Sequence, residues 1–366
     1  MITTTEMQAA LEPRATGRAD LLGLSRQSLA ERLIPVVDRP FRVAQVYRAL
    51  YERAARDFAE MTDLPKDLRD RLAERFRVGQ PEIASRHLAQ DGTCKYLLRL
   101  ADGATIEAVD IPDRGRRTFC ISSQAGCALA CAFCVTGYWG AGRNLTAGEI
   151  VGQVLAIRAD RGLPMEGLNI VFMGMGEPLL NLENVKTAFD LLEEWISPHR
   201  ITVSTVGILP GLEEMARWER RPNLAISLHA PDEERRGRIM PVNNTYPLAE
   251  LMAALRRYPL EKGRKLTFEY VMIRDFNDRV EDADRLSRLL SGLRAKINLI
   301  PINPDPVLGA GMVPPDDDRV EAFKERLRQR GWIATIRRRR GDDVSAACGQ
   351  LRAFGREPRG FRPRAR

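Results

Sequence analysis

Cys127-Ala-Leu-Ala-Cys131-Ala-Phe-Cys134 is the stretch that decides the fold, because it places three cysteines on one short loop with the spacing CxxxCxxC. It follows Thr118–Ser122, an apolar run that predicts a β-strand. Three thiolates on one loop can bind three irons of a 4Fe–4S cluster, and such clusters usually take four cysteines. One iron is then left for another ligand. A structural zinc site with Cys120 as fourth ligand is the alternative, although zinc usually takes two pairs of closely spaced ligands.

Outward from this loop, apolar strands alternate with amphipathic helices. The predicted strands are Thr118–Ser122, Leu168–Met173, Ile201–Thr205, Leu224–Leu228, Leu266–Ile273, Ile297–Ile300 and Ile333–Ile336. The predicted helices are Ala147–Ala159, Leu182–Trp195, Gly211–Trp218, Leu248–Tyr258, Arg279–Leu293 and Arg319–Gln329, the first opening on a Thr146-x-x-Glu149 capping box. This alternation predicts an α/β fold with a parallel sheet covered by helices. About six βα units are too few for a closed eight-fold barrel and predict a partial (β/α)6 barrel.

The residues before the barrel divide by their periodicity. Phe41–Tyr51 carries apolar residues at helical spacing, which predicts an α-helix. Asp91-Gly92 and Asp102-Gly103 are turn dipeptides around apolar runs and predict a β-hairpin or meander. The predicted organisation is a flexible lead (1–20), a helical accessory domain (21–85), a β-hairpin extension (86–116), the barrel core (117–345) and a stretch that contains Cys348 and a basic tail (346–366).

Charge is concentrated at one end of the chain. The 366 residues carry a formal net charge of +8, and residues 321–366 contain 14 Lys and Arg against 5 Asp and Glu. A basic end on a near-neutral body indicates a polyanionic partner. Neither an apolar signal segment nor a membrane helix is evident, so we expect a cytoplasmic protein whose six cysteines are reduced.

Polar residues follow several of the predicted strands. Met173-Gly-Met-Gly176-Glu177-Pro178 follows the second strand, where glycines allow close backbone approach and a carboxylate suits an ammonium group. Ser204, Ser227-Leu228-His229 and Asn303 follow three further strands. The carboxyl ends of parallel strands meet at one edge, so we expect one active site there. The separate alternatives are an ordinary βα turn for GMGEP, a packed histidine for His229 and a strand-end hydroxyl for Ser204.

These motifs together resemble a known family. The cysteine loop and GMGEP are similar to those of the radical S-adenosylmethionine (SAM) superfamily. Thr118–Cys127, Glu269–Ile273 and Arg340–Leu351 resemble the RlmN branch of the RlmN/Cfr RNA methyltransferases. The resemblance covers roughly residues 20–352, including Phe41–Tyr47 and Phe58–Pro65 in the helical module. Departures are Val206, where many relatives have Ser, the loop Pro306–Pro315 and the tail beyond Ala353.

The resemblance implies a role for each motif residue. Cys127, Cys131 and Cys134 bind one 4Fe–4S cluster, Cys348 becomes S-methylated, Cys120 resolves the intermediate and Glu107 accepts a proton. The implied SAM contacts are Gly176, Glu177, Ser204, Ser227, Leu228, His229 and Asn303. Cys94 matches no such role, and we expect it to be structural.

The family reaction explains why two isolated cysteines are needed. The C2 and C8 carbons of adenine are poor nucleophiles, so direct methyl transfer from SAM does not reach them. One SAM methylates Cys348, and a second is cleaved to a 5′-deoxyadenosyl radical that activates the S-methyl group for addition to adenine. Proton loss to Cys120 or Glu107 lets Cys120 attack Cys348 and release the RNA, which leaves a disulfide that must be reduced.

The implied substrates are an adenosine of 23S rRNA in the peptidyl transferase centre and the adenosine 3′ to the anticodon of tRNAs. Two SAM molecules per turnover, a flavodoxin- or ferredoxin-like electron donor and a disulfide reductant are also implied, for a monomer that does not contact membranes. Pro178 favours methylation at C2, because the Cfr branch has Ala there. The alternatives are a Cfr-like C8 methyltransferase and a non-catalytic Fe–S or zinc RNA-binding protein.

Overall fold

The computed structural model describes residues 17–113, 115–337 and 339–352. Most of the predicted flexible lead and the basic tail beyond Arg352 lie outside these residues, as does Arg338 in the arginine run. Within the described part, ten strands form one continuous sheet, and two further strands form a separate pair. No helix of these residues is long and apolar enough to cross a membrane.

The N-terminal module is mainly helical, as the apolar spacing predicts. Its elements are β1 (Ala19–Asp20), α1 (Arg26–Leu33), α2 (Phe41–Tyr51), α3 (Lys66–Arg75) and β2 (Phe76–Arg77). The Ser25 side chain caps α1 by accepting from the Ser28 N–H. The parallel pairing of β1 with β2 was not predicted from sequence. Two-residue strands are too short to show a periodicity of their own.

An antiparallel meander lies between this module and the barrel. Its strands are β3 (Glu82–Leu88), β4 (Cys94–Arg99) and β5 (Thr105–Asp113), and β5 pairs with the first barrel strand. Of the two alternatives the structure therefore has the meander, and β3 begins inside the range expected to be helical. Most of β3 is exposed at the sheet edge, so its sequence lacks the apolar alternation that marks a half-buried strand.

The barrel follows the predicted alternation. Its strands are β6 (Arg116–Cys120), β7 (Leu168–Phe172), β8 (Ile201–Thr205), β9 (Asn223–Ser227), β10 (Leu266–Met272), β11 (Ala295–Pro301) and β12 (Ile333–Ile336). The helices are α4 (Val135–Tyr138), α5 (Ala147–Arg161), α6 (Leu182–Leu192), α7 (Leu209–Ala216), α8 (Glu233–Ile239), α9 (Leu248–Arg257), α10 (Val280–Leu289) and α11 (Asp317–Gln329). Each barrel strand pairs in parallel with the next in chain order, and β12 is the last strand of the sheet among the described residues. The expected partial barrel is confirmed.

After β12 the chain returns across the carboxyl ends of the strands. Residues 339–352, here called the C-terminal segment, contain one short 3-10 turn at Asp342–Val344. The Gly341 N–H donates to Asp91 in the turn between β3 and β4, and the Asn303 amide beyond β11 donates to the Cys348 carbonyl. The segment therefore joins the meander to the far side of the barrel opening.

Candidate active site

Sheet register brings the predicted site residues to one face. Paired residues on neighbouring strands point to the same side of a sheet. Cys120 pairs with Val109 and Val171, and Ser227 pairs with Glu269, which pairs with Asn298. These positions lie near the carboxyl ends of the parallel strands, where the loops that carry the motifs begin.

The cysteine loop is closed on itself by backbone contacts. The Ala125 N–H donates to the Arg143 carbonyl at 2.9 Å, and the Cys127 N–H donates to the Gly140 carbonyl at 3.0 Å. A Cβ on Gly142 would come within 1.8 Å of the Ala125 carbonyl oxygen. Glycine is therefore required at 142 for the two limbs of the loop to meet.

The three cysteines of this loop interact in what is here called the cysteine pocket, in which Cys131 is buried and Cys127 and Cys134 are partly buried. Burial raises the pKa of each thiol, for Cys127 to about 12, and the thiols of Cys127 and Cys134 raise the pKa of Cys131 further. Backbone N–H groups of Leu129, Thr136 and Gly137 bond these sulfurs and favour the thiolate. Buried thiols with N–H donors fit an iron–sulfur cluster, whose properties are set by hydrogen bonds to its sulfurs.

The zinc alternative fits the geometry less well. No group of three or more His, Cys, Asp or Glu side chains in the described residues is arranged to hold a single metal ion. In a cluster each thiolate binds a different iron, so its ligands need not converge on one point. Cys120, the proposed fourth zinc ligand, lies at the end of β6 and interacts with Cys348 instead.

The loop after β6 packs against the GMGEP loop through Gln124. Gly176 has φ +96°, and a Cβ there would lie 2.5 Å from the Gln124 side chain. The Glu177 carboxylate accepts the N–H groups of Leu179 at 3.0 Å and Val206 at 2.9 Å. Burial raises the pKa of Glu177 to about 7. The carboxylate therefore joins the β7 and β8 loops.

His229 supports the cysteine loop from the end of β9. Its backbone has φ +60°, and its Nδ1 accepts the Val271 N–H at 3.1 Å. Its ring packs edge-on against Phe133, with 4.4 Å between the ring centroids. Burial and then the charge of Arg236 lower its pKa to about 3, so the ring is neutral. With Nδ1 as acceptor, the proton lies on Nε2.

Arg236 on α8 is a fully buried cation that sequence reasoning did not identify. Its guanidinium donates to the Val206 carbonyl at 2.6 Å and to the Asn243 side chain at 2.7 Å. No carboxylate in the described part of the chain forms an ion pair with it, and Nε has no hydrogen-bond partner there. Its charge lowers the pKa of Cys131, so it faces the cysteine pocket.

The remaining predicted SAM contacts line the same opening. Ser204 and Ser227 are partly buried at the ends of β8 and β9, and Leu228 is buried with its N–H bonded to the Glu269 carbonyl at 3.1 Å. Asn303 uses its amide N–H on the Cys348 carbonyl at 2.9 Å, while its buried Oδ1 has no partner among the described residues. An unsatisfied buried acceptor is costly and indicates a donor group on a ligand.

The C-terminal segment seats Cys348 over this opening. The Val135 N–H of α4 donates to the Gly349 carbonyl at 2.7 Å, and the Thr136 hydroxyl donates to the Leu351 carbonyl at 2.7 Å. The Cys348 side chain is exposed, whereas Cys120 is buried, and both are free thiols. Burial and then Cys348 raise the pKa of Cys120 to about 12. The two cysteines that the resemblance pairs are therefore neighbours.

Glu107 lies on β5, two residues before Val109, the residue that pairs with Cys120. Its carboxylate contacts the Lys95 ammonium at 3.1 Å and accepts the Arg352 N–H at 2.8 Å. Burial raises its pKa, and Lys95 opposes that rise. Lys95 was not predicted from sequence, although a lysine between buried Cys94 and Tyr96 in a strand is a signal that could have indicated it.

The arginine run before Cys348 is engaged by the protein itself. Arg337 lies 3.9 Å from Glu269, Arg339 lies 3.6 Å from Asp342, and Arg340 lies 2.8 Å from Asp113. The attraction of Cys348 raises the pKa of Arg337. Each described arginine of this run therefore has a carboxylate partner within the protein, and the Arg340–Asp113 pair joins the C-terminal segment to the end of β5.

Family models match the two main parts of the chain. The model of the radical SAM superfamily matches residues 121–287, and one described as the ribosomal RNA large subunit methyltransferase N-terminal domain matches residues 19–78. The first match lies within the barrel, and the second lies in the N-terminal part of the chain.

Whole-chain relatives are also found. The chain is 46% identical over 348 residues to a curated protein of Anaeromyxobacter dehalogenans named dual-specificity RNA methyltransferase RlmN, covering 92% of each chain. It is 47% identical over 344 residues to one of the same name from Halorhodospira halophila, covering 92% of this chain and 94% of that protein. The crystal structure of a radical SAM methyltransferase from Sphaerobacter thermophilus superposes with a TM-score of 0.86 at 43% identity, covering 91% and 99% of the two chains.

Proposed function

Because this chain belongs to the RlmN family of radical SAM RNA methyltransferases, we propose that it methylates C2 of an adenosine in 23S rRNA and of the adenosine 3′ to the anticodon in tRNAs. The relatives' name, dual-specificity RNA methyltransferase, supports the two RNA classes. Cys348 at the barrel opening beside Cys120 is the observation that carries the reaction type, because C2 chemistry through a methylated cysteine needs a second thiol within reach.

The cofactors of the family fit the residues present. Cys127, Cys131 and Cys134 would hold three irons of a 4Fe–4S cluster in the cysteine pocket with its N–H donors. Asn303, with its unpartnered Oδ1, and the ends of β7, β8 and β9 would hold SAM. When bound, these groups supply the methyl group and the radical that activates it.

The chain's own residues then have separate tasks. The exposed Cys348 thiolate accepts the methyl group by displacement and carries that carbon to adenine, which leaves enzyme and RNA covalently joined. The radical supplied by the bound cofactors would remove one hydrogen atom from the S-methyl group, and the one electron left on the adduct would pass to the cluster. The Glu107 carboxylate takes the C2 proton of the adduct. Cys120 attacks the Cys348 sulfur, which breaks the bond from that sulfur to the transferred carbon and forms a Cys120–Cys348 disulfide. The electron pair of the broken bond stays on the carbon, which takes up a proton to complete the methyl group.

A set of cysteine variants tests this assignment. Cys348→Ala should abolish RNA methylation, and Cys120→Ala should accumulate enzyme–RNA adduct as a shifted band on a denaturing gel. Cys94→Ala is the matched control, because Cys94 is buried in β4 away from these thiols. Full methylation by Cys348→Ala would exclude the covalent route.

Mass spectrometry of the modified nucleoside tests position and substrate. Anaerobically reconstituted enzyme is incubated with 23S rRNA or tRNA and the digested nucleosides are analysed. We expect 2-methyladenosine from both RNAs, whereas 8-methyladenosine would place the enzyme with Cfr-like chemistry. A protein that only binds RNA would yield neither and would tolerate loss of Glu177 and Cys348.

A further inference from the structure

Lys95 is a buried lysine in a strand of otherwise apolar inward-facing residues. Its side chain is 9% exposed. Lys95 pairs with Val109, which pairs with Cys120, so these three residues form one row across β4, β5 and β6. A buried ammonium is costly unless it is paired and hydrogen-bonded. The contacts of Lys95 therefore indicate why the chain keeps it.

The Lys95 ammonium has two partners from different parts of the chain. It lies 3.1 Å from Glu107 Oε1 and donates to the Ser345 carbonyl at 3.4 Å. The other Glu107 oxygen accepts the Arg352 N–H at 2.8 Å. Ser345 and Arg352 stand on either side of Cys348 in the C-terminal segment. The buried ion pair is thus satisfied only when that segment is seated.

Resting on the proposed role of Glu107 as proton acceptor, we propose that Lys95 is a positioning residue that keeps Glu107 ionised. Through Lys95, the ability of Glu107 to accept a proton depends on whether the segment that carries Cys348 is seated. The charged groups that face Glu107 are Lys95 on β4 and Arg352 on the C-terminal segment. With both in place the carboxylate is paired and bonded. With the segment lifted away it loses the Arg352 N–H and its ammonium partner loses the Ser345 carbonyl.

The electrostatics of the pair agree with this geometry. Burial raises the pKa of Glu107, and the Lys95 charge, the Arg352 N–H and the Arg352 charge lower it. Without the ammonium, burial acts with less opposition and the carboxyl holds its own proton at higher pH. A protonated carboxyl cannot take the proton from adenine C2, whose bonding electrons must remain on the ring as the proton leaves.

Lys95 therefore acts late in the reaction. Methylation of Cys348 by displacement does not use Glu107, so Lys95→Met should still form S-methylcysteine. Proton removal from the enzyme–RNA adduct does use it, so the adduct should persist. Raising the pH should speed its breakdown, because the Glu107 carboxyl then ionises. Lys95→Arg keeps the charge and should restore most of the rate.

The experiment follows the adduct in anaerobically reconstituted enzyme. Single turnovers with an rRNA fragment are run for wild type, Lys95→Met, Lys95→Arg and the matched control Arg99→Met, an exposed residue of the same strand. Mass spectrometry measures Cys348 methylation, and denaturing gels measure adduct decay from about pH 6.5 to 9, a range that spans neutrality. We expect Lys95→Met to clear the adduct about tenfold or more slowly near neutral pH, with its pH dependence displaced to higher pH, and Arg99→Met to match wild type.

A double-variant cycle with Glu107→Gln shows whether Lys95 acts through Glu107. Adduct decay in Glu107→Gln should be slow and should lack the acceleration that ionisation of Glu107 gives, so any remaining rise with pH belongs to the Cys120 thiol. Adding Lys95→Met should change this decay little. Additive effects in the double variant would overturn the proposal, as would wild-type decay in Lys95→Met.

Two further outcomes separate seating from ionisation. Asp343→Ala removes the acceptor of the Gln90 N–H and loosens the C-terminal segment without touching Glu107. If Lys95→Met, folded by its thermal melt, loses Cys348 methylation, Lys95 only seats the segment and the proposal fails. Asp343→Ala shows how much methylation is lost by loosening the segment alone. If wild type forms neither S-methylcysteine nor adduct, the proposed function fails instead.

Discussion

At the scale of single residues, the site is built from groups whose charge state is set by burial. His229, Glu177 and Arg236 are each almost fully enclosed, and each satisfies backbone groups of neighbouring strand ends. Their polar atoms replace the water that loop carbonyls and N–H groups would otherwise need. These residues therefore hold the opening in shape before any ligand arrives.

His229 gives this arrangement a measurable pH dependence. Its pKa is lowered to about 3 in the folded protein, against an ordinary value near 6.5. Between these values the unfolded chain binds a proton that the folded chain does not, so stability falls as the pH drops below about 6.5. The contribution is about 1.4 kcal/mol per pH unit within that window.

His229→Asn should lack this contribution, and asparagine tolerates the positive φ at this position. Urea unfolding of cluster-free protein at about pH 7.5, 6.0 and 5.0, under reducing conditions, measures it. The stability advantage of wild type over the variant should shrink toward the lowest pH. The pKa of Glu177, raised to about 7, gives an opposing trend that is common to both proteins. An advantage that stays constant with pH would contradict a buried neutral histidine.

At the scale of elements, the sequence predicts best where one residue pattern suffices. Every barrel strand was predicted within a few residues, because apolar runs bounded by motif loops carry the signal locally. The edge strand β3 was missed because its exposed residues have no apolar alternation. The roles of Lys95, Arg236 and the C-terminal segment were missed because their contacts join separate elements, as in the Lys95–Ser345 and Arg236–Val206 hydrogen bonds. The sequence around Lys95 marks an unusual residue but does not say which elements it joins.

The predicted capping box at the start of α5 also connects the helix to the cysteine loop. The capping box between Thr146 and Glu149 is present, as predicted. Glu149 also forms a bidentate pair with Arg143 at 2.7 Å, and Arg143 reaches Asp102 at 2.8 Å. The Arg143 carbonyl accepts the Ala125 N–H, so this pair joins the helix start to the cysteine loop.

Variants of the two capping residues should therefore differ in cost. Thr146→Ala loses only the cap and should lower the free energy of unfolding by about 1 kcal/mol. Glu149→Ala also leaves Arg143 with one carboxylate partner in a mostly buried site, and should cost roughly 2–4 kcal/mol. Glu149→Gln, which can still cap, should fall between them, and Thr146→Ser should be nearly neutral. Equal costs for Thr146→Ala and Glu149→Ala, by urea unfolding, would show that the ion pair contributes nothing.

At the scale of the whole molecule, the helical module and the barrel share one continuous apolar core. The Tyr47 hydroxyl donates to Glu194 at 2.6 Å, and Arg26 lies 3.2 Å from the same carboxylate. The rings of Tyr47 and Tyr51 stack on the ring of Trp195, just after α6, with centroid distances of 6.4 and 5.8 Å. Since buried apolar contact joins the two parts, we expect them to unfold together.

Trp195→Ala tests this coupling. The substitution removes the ring that both tyrosines contact and should cost roughly 2–3 kcal/mol, less than a fully buried tryptophan because Trp195 is partly exposed. Tyr47→Phe keeps the ring contact, loses one hydrogen bond and should cost about 1 kcal/mol. Wild type and Tyr47→Phe should give one calorimetric transition, with coincident fluorescence and circular-dichroism curves, whereas Trp195→Ala should separate a lower transition for the helical module. Because the tyrosines belong to the module and the tryptophan to the barrel, two transitions already in wild type would mean that this contact does not couple the two parts.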